Sequence, residues 1–130
     1  MSTQLFNDWR PETLSLLNLL LNKGFSLVSG NNGDDDFSAT DFASLEAFAD
    51  ELAACDEATL KVRFPMGDAR TVTLRLVYGN SPGELVADYY AIDNATLAAF
   101  DPIADAHNVA WDGKTQPTLT RAQYDARNGR

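Results

Sequence analysis

Asp34, Asp35 and Asp36 stand in a row inside the stretch GNNGDDDF, Gly30 to Phe37, and carboxylates so close together could hold a divalent cation. A helix-loop-helix calcium site needs alternating acids, a glycine at the sixth position and a glutamate at the twelfth. With Gly33 as the sixth residue, Val28 and Ala39 fall at the first and last positions, so that chemistry fails. The repeat-type calcium motif comes nearer, since Gly30, Gly33, Asp35 and Phe37 match and Asn31 replaces a glycine. That motif holds its ions between stacked turns, however, and a single copy has nothing to stack on. A Mg²⁺ or Mn²⁺ site for phosphate-ester chemistry needs carboxylates converging from fixed elements. Asp34, Asp36 and Asp41 would serve it only if a further carboxylate arrived from elsewhere. The stretch is read as a polar turn leading into a capped helix, with a metal-dependent enzyme of phosphate esters as the alternative.

Other catalytic chemistries find less support. His107 and Cys55 are the only residues of their types, which removes the usual Cys and His zinc cluster. Cys55 sits late on the apolar side of an alanine-rich helical segment and reads as a packed core thiol. No G-x-S-x-G surrounds a serine, Ser81 to Gly83 is turn chemistry, and no G-K-[ST] follows the glycines at 30 and 33. Neither a catalytic residue nor a metal or cofactor is therefore expected.

Charge is the strongest remaining signal. The chain of 130 residues carries a net charge of -9, and residues 24–60 contain no Lys or Arg. In that interval Asp34, Asp35, Asp36, Asp41, Glu46, Asp50, Glu51, Asp56 and Glu57 contribute nine negative charges, equal to the whole net charge. A field of this sign disfavours direct binding to DNA or RNA. The sign reverses between Lys61 and Arg75, where Arg63 and Arg70 also lie.

The elements that must position these groups follow from periodicity. A first helix over residues 9–23 has Asp8 as cap, Pro11 in its first turn, a wide leucine face from Leu14 to Leu21, and Gly24 as its stop. Phe25 to Ser29 reads as a short strand. Ser38 and Asp41 have capping-box spacing, and Phe37 with Phe42 has that of a hydrophobic staple, which predicts a second helix continuing through Leu45, Phe48 and Leu52. Alternation in ATLKVRF, TVTLRLVY and LVADYYA predicts three antiparallel strands separated by the turns PMGDAR and GNSPGE. Asp93 caps a helix carrying Leu97 and Phe100, and Asp101 before Pro102 reads as a second helix start.

The expected fold is α+β, in the order α-β-α-β-β-β-α, with helices on one face of a mostly antiparallel sheet of three to four strands. Residues 1–112 form one domain, and 113–130 form a polar, flexible tail. The uncovered face would carry Lys61, Arg63, Arg75 and Tyr90 among threonines, with Arg75 paired across strands to Asp88. An RNA-binding sheet needs exposed aromatics on its central strands, and threonines occupy most of those positions here.

Glu46 and Asp50, one helical turn apart, repel each other and add nothing to folding. Acidic side chains so placed can imitate DNA phosphates and enter the basic groove of a DNA-handling protein. The sequence thus points to a non-enzymatic protein whose partner is another protein with a basic surface, not nucleic acid or a membrane. A homo-oligomer assembled through the leucine helix is a further alternative. Asp8 and Glu12 flank Arg10, so the basic region that a targeting segment requires is missing, and a cytoplasmic protein is expected.

Overall fold

The computed structural model describes residues 5–54, 57–65, 69–78, 83–114, 118–120, 122 and 123. Cys55 and Asp56 lie outside the described residues, as do positions 66–68 and 79–82 of the two expected turns and much of the expected tail.

Strand β1 (Leu5–Asn7) precedes helix α1 (Arg10–Asn22). The Arg10 N–H donates to Asp8 Oδ1 at 3.1 Å, which satisfies one of the otherwise orphaned amides of the first turn. Gly24, at φ +90°, ends the helix. Phe25 N–H then bonds the Leu20 carbonyl and Gly24 N–H that of Leu21, both at 3.0 Å, in the paired pattern of a Schellman stop. Leu16, Leu17 and Leu20 are fully buried, so the leucine face belongs to this chain's own core. Of the large apolar side chains of α1, only Leu21 is exposed.

The single strand expected after α1 is a hairpin, β2 (Ser26–Asn31) with β3 (Asp36–Ser38). This raises the main sheet to five strands, ordered β3-β2-β4-β5-β6 and antiparallel throughout. The other members are β4 (Glu57–Arg63), β5 (Thr71–Val77) and β6 (Val86–Tyr90). A shorter sheet pairs β1 with β7 (Thr118–Thr120).

Ser38 and Asp41 do meet, with Ser38 N–H donating to Asp41 Oδ2 at 2.9 Å, but they close only a 3-10 turn over Ala39–Asp41. Phe42 is extended, and helix α2 (Leu45–Leu52) starts later, capped by Ser44 Oγ, which accepts from Ala47 N–H at 3.1 Å. Helix α3 (Asn94–Trp111) is one continuous helix, and Pro102 does not divide it. Asp93 caps it by accepting from Thr96 N–H at 2.7 Å, and that bond holds the Asp93 carboxyl below its usual range. Pro102 and Ala98 are exposed, so the carbonyl that loses its donor faces water while Phe100, Ala104 and His107 anchor the buried side.

α1 packs on α2, α3 and β2, α2 on β4, and α3 on β5 and β6. Leu60, Val62, Val72, Leu74 and Leu76 point into this core, with Phe100 between Phe25 and Tyr89 at ring distances of 5.7 and 5.2 Å. Burial and a hydrogen bond to Asp101 push the Tyr89 phenol up to about 12. On β6 the pairing with β5 shifts register at Ala87, and Tyr89 N–H donates to Asp88 Oδ1 at 2.8 Å. No described helix is long and apolar enough to cross a membrane.

Candidate functional site

GNNGDDDF is the turn of the β2–β3 hairpin, with Gly33 at φ +96°. Its organiser is Asn32, which the sequence reading passed over. This side chain is 3% exposed, and its Oδ1 accepts from the N–H groups of Asp34 at 3.0 Å and Asp35 at 2.9 Å. Its Nδ2 donates to Glu51 Oε1 at 3.0 Å and to the Glu51 carbonyl at 3.4 Å. One amide thereby ties the hairpin tip to the end of α2. An asparagine directly before a glycine is the signal that could have found it.

Asp34, Asp35, Asp36, Asp41 and Glu46 are exposed, with Asp36 turned to the open face of the sheet and Glu46 on the helix that covers the other, while Asp50 and Glu51 are half-buried. Asp36 accepts from Asn31 Nδ2 at 2.5 Å, and Asp50 lies 3.5 Å from Arg10 Nη1. A recess of about 300 Å³ lies beside the hairpin, lined by Ser29, Gly30, Asp36, Phe37, Ser38 and Asp41. No group of three or more His, Cys, Asp or Glu side chains gathers closely enough for a metal ion among the described residues. Asn32→Ala is expected to lower stability by about 1–2 kcal/mol, since two turn amides and Glu51 lose their partner. Chemical denaturation measures the loss, and amide exchange at Asp34 and Asp35 should quicken with it.

The uncovered face of the main sheet carries the second set of predicted residues. Lys61, Arg63, Arg75 and Tyr90 are all exposed on it. Arg75 stands opposite Asp88 in the strand register, yet its guanidinium pairs with Glu57 on the other neighbouring strand, Nη2 to Oε1 at 2.8 Å. Glu57 raises the Arg75 pKa above its ordinary value. The expected Arg75–Asp88 pair is not the one formed, because Asp88 turns back to its neighbour's amide.

A third set is buried. Glu12 on α1 and His107 on α3 are 0% and 1% exposed, and Glu12 Oε2 lies 2.9 Å from His107 Nε2. Gly83 N–H donates to the same Oε2 at 3.3 Å. Next to Glu12, the Thr13 hydroxyl lies 3.2 Å from the Tyr78 phenol, which burial pushes well above its ordinary range. A carboxylate beside an imidazole is the usual pairing of a general base, but proton transfer requires contact with substrate. With both side chains sealed from solvent, this pair joins two helices and a turn. Its trace in the sequence is positional: Glu12 shares the α1 stripe of Leu16 and Leu20, and His107 the α3 stripe of Phe100 and Ala104. Compared with known proteins, the chain matches no family model, and neither a curated protein nor a solved structure resembles it significantly.

Proposed function

We propose that this is a non-enzymatic binding protein whose acidic surface docks on a cation-rich surface of another protein, specifically the groove in which a DNA-handling protein holds DNA. The observation that supports this reading is the Asn32 tie, because it fixes the acidic hairpin tip beside the acidic end of α2. Residues 24–60 supply no cation of their own, and Arg10 from α1 lies 3.5 Å from Asp50. Fixed like charges speed encounter with an oppositely charged groove and contribute to partner choice. A phosphate-ester enzyme would instead need those carboxylates to converge on an ion.

The test compares wild type with a variant bearing lysine at Asp34, Asp35, Asp36 and Glu46, each immobilised and exposed to host lysate. Wild type is expected to retain basic DNA-binding proteins, to release them as salt rises, and to lose them to added duplex DNA. The variant, with an unchanged thermal midpoint, should bind the purified partner at least about tenfold more weakly. Equal affinity for both proteins would remove the acidic surface from the interface.

A further inference from the structure

Sorting the outward residues of the main sheet by strand register reveals a gradient of charge along the strands. At one end lie Arg63, flanked by Ser26 and Thr71, and Lys61, flanked by Ser29 and Thr73. Both cations are exposed, and all four flanking residues are neutral. No hydrogen bond or ion pair reaches either side chain among the described residues. At the other end, Glu57 and Asp88 flank the single cation Arg75, and Asp36 lies three strands away on the edge strand β3. Formal charge is therefore +2 at the first end and -2 at the second, counting Lys61 and Arg63 against three acids less one arginine. In a chain with almost twice as many acids as bases, 19 against 10, two adjacent cations without an acidic partner are a conspicuous local exception. The same fold pairs both Arg10 and Arg75 with carboxylates.

We propose that two copies of this chain associate face to face through the open side of the five-stranded sheet. Their two-fold axis lies between the sheets and perpendicular to the strands. This operation reverses strand direction while keeping each strand over its counterpart, so Lys61 and Arg63 of each copy lie over the Glu57–Thr59 end of β4 in the other, with Asp88 two strands away at the same end. The contact is self-complementary and closes at two copies. A two-fold along the strands would set like charges against each other and is disfavoured. Tyr90, 52% exposed in the row of Lys61 and Thr73, supplies an aromatic contact within the patch.

Size sets the strength. Strands about 4.8 Å apart, rising about 3.3 Å per residue, give this face an outline of roughly 500 Å². Stable complexes bury about 800 Å² per partner, so the dimer is weak, forms with rising concentration, and dissociates as salt screens its charges.

Sedimentation of the full chain from micromolar to millimolar concentration, at low and high salt, is the test. At low salt a monomer–dimer equilibrium is expected. The double variant Lys61→Glu with Arg63→Glu, and separately Glu57→Lys with Asp88→Lys, should each raise the dissociation constant at least tenfold. Combining all four substitutions restores opposite charges across the two-fold and should return the dimer, which a merely damaged surface would not do. Glu46→Lys, on a helix at the covered side of the sheet, should leave the dimer in place. Wild type that stays monomeric throughout overturns the proposal. So does a dimer that both end-reversed variants preserve, or a four-fold variant that fails to recover association while remaining folded.

Discussion

Replacing Glu12 with leucine is expected to lower the stability of the fold by about 3–5 kcal/mol, the range found when one member of a buried polar pair is removed and the other stays. His107 would keep its ring in a site closed to water with nothing opposite Nε2, and Gly83 N–H would lose its acceptor. Glu12→Gln retains an oxygen and an amide at the same reach, so it should cost only about 1 kcal/mol. The double variant Glu12→Leu with His107→Leu should be more stable than Glu12→Leu alone, because the loss comes mainly from the orphaned partner. Urea unfolding of wild type, Glu12→Leu, His107→Leu and the double variant gives the cycle. If the two single losses simply add in the double variant, the side chains do not act as a pair.

Gly30→Val should cost about 2–3 kcal/mol, by overpacking. A Cβ at Gly30 would lie 2.6 Å from Phe37 Cε2 and 2.8 Å from Leu52 Cδ2. The Phe37 ring has little room to yield, since it packs edge-on against Phe42 at 5.4 Å and Phe48 at 5.7 Å. Backbone strain plays no part, as Gly30 is an ordinary strand residue at a negative φ. The variant that relieves the clash is Phe37→Leu in the Gly30→Val background, and it should recover part of the loss. A Gly30→Val protein that unfolds at the wild-type denaturant concentration would show that the aromatic cluster is looser than its geometry implies.

The long strands β4 and β5 are legible in the sequence because each alternates over seven residues, with buried and open faces of opposite character. Strand β3 is not, since three residues cannot establish a period and its Asp36 is a poor strand former. Its pairing is set by the turn before it, where Asn32 and Gly33 hold the signal that the capping spacing of Ser38 and Asp41 obscures. That capping contact is real but local, and the choice of Ser44 as the start of α2 depends on where Phe42 and Phe48 meet in space, with rings 5.4 Å apart. Pro102 misleads for a similar reason, because its cost depends on whether the freed carbonyl reaches water. The acidic residues were visible from composition alone. Which of them the fold holds near one another was not, because the connection runs through Asn32 to Glu51, 19 residues on. Glu12 and His107 are separated by 95 residues, so their pairing needs the folded core.

The last strand of the main sheet has a consequence for how this molecule can meet its neighbours. An open border normally offers a row of amides and carbonyls on which a foreign strand can continue the ladder. Here the irregularity at Ala87 bends that border, and the Asp88 carboxylate already occupies the Tyr89 amide. The opposite border is only three residues long and begins with a charge. Growth by strand addition, the route to fibrils, is thus blocked at one rim and curtailed at the other.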